Sequence, residues 1–149
     1  MISEKDISNA RILVVDDMPG NVMMFEDALN HLGYVNVRST SNPMTVVEKH
    51  REHDFDLIIL DLYMPGMNGF TVMEDLGKME KNTYVPVLVI SADPAQKVAA
   101  LEGGAKDFLT KPFDMQELRA RIHNMLEIRL LYRELYSMDE ALSQIETSE

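Results

Sequence analysis

Three carboxylates stand at the ends of apolar runs, where they could bind a cation. Asp16 and Asp17 follow the run Ile-Leu-Val-Val at residues 12–15, and Asp61 follows Leu-Ile-Ile-Leu at residues 57–60. Short apolar runs are typical of buried strands, and open α/β sheets bind ligands at the carboxyl ends of their strands. Three carboxylates gathered there would repel one another without a cation, and their oxygens suit Mg²⁺. These residues therefore predict an acidic metal pocket.

Two further polar side chains follow apolar runs later in the chain. Ser91 closes the run at residues 87–90, and Lys111 follows Phe-Leu-Thr at residues 108–110. A hydroxyl and an ammonium beside carboxylates suit phosphoryl chemistry. One carboxylate can act as the nucleophile and form an aspartyl phosphate. A metal and a lysine would neutralise charge on the transferring oxygens, and a hydroxyl would donate a hydrogen bond to one of them.

The elements that must position these residues alternate along the chain. Strands are predicted at residues 11–15, 35–40, 57–61, 85–91 and 107–109, and helices at 19–32, 43–53, 70–79, 94–102 and from 114 onward. Residues 64–69 are dense in turn residues and predict a loop. Alternating strands and helices indicate an α/β fold with a parallel sheet covered on both faces. Right-handed crossovers favour a doubly wound, flavodoxin-like, five-stranded sheet of order 2-1-3-4-5.

Composition narrows the class of protein. A chain of 149 residues with 46% hydrophobic residues is typical of one globular domain. A net charge of −11 argues against binding to nucleic acid or anionic membrane. The chain lacks cysteine, a transmembrane-length apolar stretch and the basic-then-apolar start of a signal peptide. We therefore expect a cytoplasmic protein without disulfides or thiolate metal sites.

Four short motifs occur at the predicted strand ends. They are Val-Val-Asp-Asp at 14–17, Asp-Leu-Tyr-Met-Pro-Gly-Met-Asn-Gly at 61–69, Ser-Ala at 91–92 and Lys-Pro-Phe at 111–113. Together they resemble the receiver domain of two-component response regulators, of the chemotaxis-regulator type. The resemblance covers residues 11–126, which leaves an N-terminal segment at 1–10 and a helical extension at 127–149.

The resemblance implies a phosphorylation site and a metal site. Asp61 would be the phosphoacceptor and would receive the phosphoryl group from a sensor histidine kinase. Asp17, Asp61 and the backbone carbonyl of Tyr63 would bind Mg²⁺, with Mn²⁺ as the alternative ion. Asp16 would act through metal-bound water or as a weaker ligand.

The resemblance also implies how phosphorylation is sensed. Ser91 would contact the phosphoryl group, and Lys111 would pair with it. Phe108 occupies the aromatic switch position, where the ring turns inward when the hydroxyl residue moves toward the phosphate. In this family the peptide bond before Pro112 is usually cis, which would aim the lysine ammonium into the pocket.

Each of these residues alone has an ordinary structural explanation. The first two acids could lie in a loop or cap a helix, and Asp61 could open a turn. Ser91 could cap a helix, Lys111 could be a solvated surface lysine, and Phe108 could be a core residue. The functional interpretation depends on their conjunction at consecutive strand ends.

The last predicted helix is longer than a receiver domain needs. No Gly or Pro follows Pro112, so a helix from residue 114 to 145 would be nearly 50 Å long at ~1.5 Å per residue. Leu118, Ile122 and Met125 form a stripe suited to packing on the sheet. A second stripe has the alternating three- and four-residue steps of a coiled-coil seam. Its members are Ile128, Leu131, Leu135, Met138, Leu142 and Ile145.

The seam predicts a homodimer through residues 128–145. Glu134 and Asp139 would face each other in a parallel pair, which is unfavourable by a few tenths of a kcal/mol per contact. Burial of each seam Leu or Ile, worth about 1–2 kcal/mol, outweighs that repulsion. The alternative is a helix that docks on its own domain or frays. The extension could lead to a fused output domain, or the output could be a separate protein.

The leading hypothesis is thus a phosphorylation-switched receiver that is not an enzyme beyond its own phosphoryl transfer and dephosphorylation. A Mg²⁺-dependent aspartyl-phosphate phosphatase is the first alternative, although such enzymes usually carry a second Asp where this chain has Tyr63. A dimerisation adaptor that is never phosphorylated is the second alternative. The cognate kinase and the output do not follow from the sequence.

Overall fold

A parallel five-stranded sheet forms the centre of the protein. The computed structural model describes residues 1–62, 69–79 and 85–147. The strands are β1 (Arg11–Val15), β2 (Asn36–Thr40), β3 (Leu57–Asp61), β4 (Val87–Ser91) and β5 (Asp107–Thr110). Their order is β2-β1-β3-β4-β5, and every neighbouring pair is parallel. This confirms the predicted doubly wound sheet.

Helices cover both faces of the sheet. They are α1 (Glu4–Ser8), α2 (Pro19–His31), α3 (Val46–His53), α4 (Gly69–Gly77), α5 (Lys97–Glu102) and α6 (Met115–Thr147). The segments Pro43–Thr45 and Pro94–Gln96, predicted as the first turns of helices, are 3₁₀ turns that lead into α3 and α5. Gly69, predicted within a loop, begins α4. The rest of the predicted loop lies outside the described residues.

Successive strand residues point to opposite faces and build two cores. Leu13 and Val15 of β1 pack with side chains of α3, α4 and α5. Ile12 and Val14 pack with side chains of α1, α2 and α6. The side chains predicted to bind α6 to the sheet, Leu118, Ile122 and Met125, are all buried.

The short helix α1 was not predicted. Ser3 and Asp6 form a capping box, in which each side chain accepts a hydrogen bond from the other's backbone N–H. Ile7 is buried against the same core as α6. Glu4 also contacts His123 of α6, with 3.1 Å between Oε1 and Nε2. The N-terminal segment therefore packs beside α6.

Ion pairs hold one face of α6 against the domain. They lie further along the helix than the side chains that pack on the sheet. Arg133 forms ion pairs with Asp54 and Asp56. Asp56 is buried and accepts a hydrogen bond from the backbone N–H of Arg11 at 2.9 Å. Arg129, also buried, lies 3.9 Å from Asp56. We call Asp54, Asp56, Arg129 and Arg133 the base cluster.

The opposite face of α6 carries the predicted seam. The seam residues have exposed fractions of 70% (Ile128), 41% (Leu131), 65% (Leu135), 58% (Met138), 58% (Leu142) and 59% (Ile145). At 100° per residue, this stripe lies on the other side of the helix axis from Arg129 and Arg133. One face of α6 therefore docks on the domain while the opposite face leaves the seam exposed. None of the described helices has both the length and the apolar content needed to span a bilayer.

Candidate functional site

The carboxyl ends of the strands bring the predicted site residues to one edge of the sheet. Val15 pairs with Leu60 across β1 and β3, so Asp16 and Asp61 leave the sheet side by side. On the next strand, Ser91 closes β4 beside the end of β5. Residues far apart in sequence thus meet as the parallel register requires.

Asp16 has a carboxyl that is buried with one oxygen unsatisfied. The residue is 1% exposed, and its Oδ1 accepts a hydrogen bond from the backbone N–H of Met18 at 3.0 Å. Its Oδ2 is buried and has no hydrogen-bond partner among the described residues. Burial raises the pKa of this carboxyl above its ordinary value, and the neighbouring charge of Asp61 raises it further. The Met18 N–H opposes this rise.

Asp61 is paired with the predicted lysine. Lys111 Nζ lies 3.2 Å from Asp61 Oδ2, and the two side chains are 25% and 12% exposed. The Lys111–Pro112 peptide bond is cis, as the resemblance implied. The carboxylate is therefore partly exposed at the edge of the sheet, and it lies beside a cation that can balance added negative charge.

Asp17 and Tyr63 are the other two members of the predicted metal-ligand set. Asp17 follows Asp16 in the same loop and is half-buried. Its carboxylate makes no hydrogen bond or ion pair with any other residue that the structure describes. Tyr63, whose backbone carbonyl was predicted to bind the metal, lies outside the described residues.

The residues present suit a divalent cation. The unsatisfied Oδ2 of Asp16 is a buried acceptor that a cation would satisfy, and Asp61 is close enough to raise the pKa of Asp16. Within the described ranges, no three His, Cys, Asp or Glu side chains are already spaced to hold a metal ion. Mg²⁺ fits such an incomplete set, because it commonly binds one or two carboxylates and keeps several waters. Asp16, Asp17 and Asp61 are the residues that would hold it.

Ser91 is buried, and its hydroxyl is bound within its own segment. Its Oγ donates a hydrogen bond to Gln96 Oε1 at 2.7 Å and accepts one from the backbone N–H of Asp93 at 3.1 Å. Phe108, the predicted aromatic switch, is 3% exposed and belongs to the core on the α3, α4 and α5 side of the sheet. The ring therefore lies inward in this structure.

Two features of the site were missed in the sequence. Gly69 begins α4 against the end of β3, and a Cβ there would lie 2.9 Å from a Leu62 side-chain carbon and 3.3 Å from the carbonyl oxygen of Asp61. Glycine thus permits a close approach beside the predicted phosphoacceptor. The second feature is Gln96, which nothing in the sequence marks. Only the fold of its turn brings it to Ser91.

The chain is similar to a known family over most of its length. The model of the response regulator receiver domain matches residues 12–123. Response regulator PleD of Caulobacter vibrioides is 38% identical over 129 residues, covering 85% of this chain and 28% of PleD. Response regulator ArlR of Staphylococcus aureus is 35% identical over 116 residues, covering 78% of this chain and 52% of ArlR.

Solved structures agree with this similarity. Chemotaxis protein CheY4 of Vibrio cholerae matches with a TM-score of 0.70 and 27% sequence identity, covering 78% of this chain and 98% of that one. The chain spans about a quarter of PleD and about half of ArlR. The structural match covers most of this chain, which includes the parallel sheet.

Proposed function

The chain belongs to the response regulator receiver domain family, and we propose that it accepts a phosphoryl group on Asp61 from a sensor histidine kinase. Membership of this family supports phosphorylation-dependent signalling in a two-component system. One observation carries the assignment to Asp61. Its carboxylate lies 3.2 Å from Lys111 and next to the buried, unsatisfied Asp16.

The chemistry follows from these groups. A carboxylate oxygen of Asp61 would attack phosphorus, and the bond from phosphorus to the histidine nitrogen of the donor would break as the new O–P bond forms. Lys111 would balance the added charge, and Ser91 would donate a hydrogen bond to a phosphoryl oxygen. A bound Mg²⁺ or Mn²⁺, when present, would neutralise further charge on the transferring oxygens.

Acetyl phosphate with Mg²⁺ tests the assignment without the unknown kinase. Intact-mass measurement should show the addition of one phosphate, ~80 Da carrying about two negative charges. Asp61→Asn should abolish the addition, since an amide is no nucleophile for this step. The exposed Asp139→Asn on α6 is the matched control and should label like the wild type.

Full labelling of Asp61→Asn would refute the phosphoacceptor assignment. Chelation of the divalent cation should also prevent labelling. We expect one phosphate per chain rather than continuing release from a generic phosphoester, because we propose that the protein is not an enzyme in the usual sense. Many turnovers of such an ester would instead favour the aspartyl-phosphate phosphatase.

We further propose that the extension of α6 passes the signal on by pairing with a second copy. The exposed seam over residues 128–145 supports this proposal, since a single chain leaves it in water. Because the chain spans only part of its relatives, an output domain, whether fused or separate, is likewise a proposal. The sensor kinase as partner, the coiled coil and a cytoplasmic location are also proposals.

A further inference from the structure

The hydroxyl that should contact the phosphoryl group already has a different acceptor. Ser91 Oγ donates to Gln96 Oε1 at 2.7 Å, while its lone pair accepts the N–H of Asp93. A serine hydroxyl carries a single proton and can donate only one such bond at a time. While that proton lies on Gln96, it is withheld from any oxygen bound to Asp61.

We propose that Gln96 is a latch on the switch hydroxyl. Its amide oxygen holds the proton of Ser91 in the unphosphorylated protein, and a phosphoryl group on Asp61 must compete for that proton. This inference rests on the proposed function, because it assumes that Asp61 is the phosphoacceptor. Gln96 is then a positioning residue that acts through Ser91 rather than on the phosphoryl group.

The latch is held by a turn of fixed shape. Asp93 Oδ1 accepts the backbone N–H of Ala95 at 3.0 Å, and the Asp93 carbonyl accepts that of Gln96 at 3.2 Å. Pro94 opens the 3₁₀ turn and restricts its backbone further. Gln96 is also half-buried. The backbone at Gln96 is therefore well fixed, and only the side-chain torsions of Gln96 have to be ordered when its amide binds Ser91.

The backbone of Ser91 is equally fixed. Its carbonyl accepts the backbone N–H of Lys111 at 2.9 Å, and the residue pairs with Thr110 at the end of the sheet. Exchange between Gln96 and a phosphoryl oxygen is therefore a rotation of the side chain about its Cα–Cβ bond. The Ser91 hydroxyl can thus donate either to the amide oxygen of Gln96 or to a phosphoryl oxygen on Asp61.

Release of the latch also affects the next element. Gln96 directly precedes α5 and is the last residue of the turn that leads into it. When Ser91 turns away, the first residues before α5 lose their side-chain hydrogen bond to the sheet. The same bond therefore links the chemistry at Asp61 to the start of α5.

Removing the acceptor should strengthen binding of a phosphoryl mimic. Gln96→Met keeps the length of the side chain but cannot accept the Ser91 proton as an amide does. We expect beryllofluoride with Mg²⁺, followed by fluorine NMR, to bind about 2- to 12-fold more tightly, the range that corresponds to the net strength of one neutral hydrogen bond. Gln116→Met, at an exposed glutamine of α6, is the control and should bind like the wild type.

A double-mutant cycle separates the latch from a general effect on the fold. In a Ser91→Ala background there is no hydroxyl to hold, so Gln96→Met should leave beryllofluoride affinity unchanged. Equal tightening in both backgrounds would overturn the latch, as would no tightening in the presence of Ser91. Gln96→Leu repeats the test with the same expectation if Gln96→Met lowers the thermal midpoint.

The outcomes for the latch and for the proposed function are distinguishable. If the wild-type protein binds no beryllofluoride at all, both the phosphoacceptor assignment and the latch proposal are rejected. A wild-type protein that binds the mimic, together with a Gln96→Met variant of unchanged affinity, would reject the latch alone.

Discussion

At the scale of single residues, the buried carboxyl of Asp16 links stability to pH. Its pKa is raised in the folded protein, chiefly by burial and then by the charge of Asp61. The native state therefore holds this proton at pH values where the unfolded chain has lost it. By linkage, the contribution of Asp16 to stability is present below the unfolded pKa and is lost as pH rises through the folded pKa.

Asp16→Asn should accordingly raise the thermal midpoint at pH 7 in metal-free buffer, because the amide carries no charge to desolvate. The gain should shrink as the pH falls toward the ordinary value of 3.8. Differential scanning calorimetry over this pH range measures it. A rise of a few degrees is the scale expected for about 1 kcal/mol in a domain of this size.

The exposed Asp27→Asn on α2 is the control and should leave the midpoint nearly unchanged. A midpoint of Asp16→Asn that falls at pH 7 would contradict the stated cost of the buried charge. Added Mg²⁺ should stabilise the wild type more than Asp16→Asn, because a cation satisfies the carboxylate but has less to gain from an amide.

The strand-end residues could be predicted from sequence because parallel register forces them together. Asp16, Asp61, Ser91 and Lys111 each follow an apolar run, and that pattern is visible without coordinates. Gln96 could not be found in this way, since its contact with Ser91 depends on the path of a 3₁₀ turn. The raised pKa of the Asp16 carboxyl likewise depends on burial, and the residue type alone does not reveal burial.

At the scale of elements, the base cluster fixes the direction of α6 relative to the sheet. Asp56 is buried between the backbone of Arg11 and the side chains of Arg129 and Arg133. Asp54 lies at the more exposed side of the same cluster. The two aspartates therefore offer a comparison between a buried and a surface partner of one arginine.

Asp56→Asn should lower the free energy of unfolding by about 3 kcal/mol, because it removes the buried negative charge that faces both Arg129 and Arg133. Asp54→Asn should cost under ~1 kcal/mol, as expected for a partly exposed ion pair, since Asn also tolerates the left-handed φ of +53° at this helix end. Urea titrations of the two variants beside the wild type give both values. Equal losses for the two variants would show that burial of Asp56 does not set the strength of the cluster.

The helices were predicted less completely than the strands. The apolar runs fixed five strands to within about two residues, whereas α1 was missed because five residues are too few for a periodic pattern. The Ser3 and Asp6 capping box was its only local signal. The base cluster was also missed, since the pairing of Asp56 with arginines more than 70 residues away is a property of the tertiary fold.

At the scale of the whole molecule, the seam on α6 sets the expected assembly. A parallel, in-register pair places Leu135 of one copy against Leu135 of the other. The chain has no cysteine of its own. Leu135→Cys should therefore form a covalent dimer under mild oxidation, since facing seam positions lie within disulfide reach.

Ser137→Cys is the matched control, because its position faces away from the seam and should crosslink much less. Non-reducing electrophoresis compares the two variants at equal concentration. Comparable crosslinking at both positions, or none at Leu135→Cys, would count against the parallel pair. Salt should strengthen a genuine pair slightly, because it screens the repulsion between Glu134 and Asp139.

The base cluster also determines how motion in the domain would reach the far end of α6. Beyond Arg133 the helix continues for roughly 20 Å at 1.5 Å per residue, and residues 134–146 are all exposed. A rotation of α6 about the contact with Asp56 would therefore be amplified along this exposed stretch. A tilt of a few degrees there would move the end of the helix by more than an ångström, so a small rearrangement near Asp56 would become a larger displacement at the far end of α6.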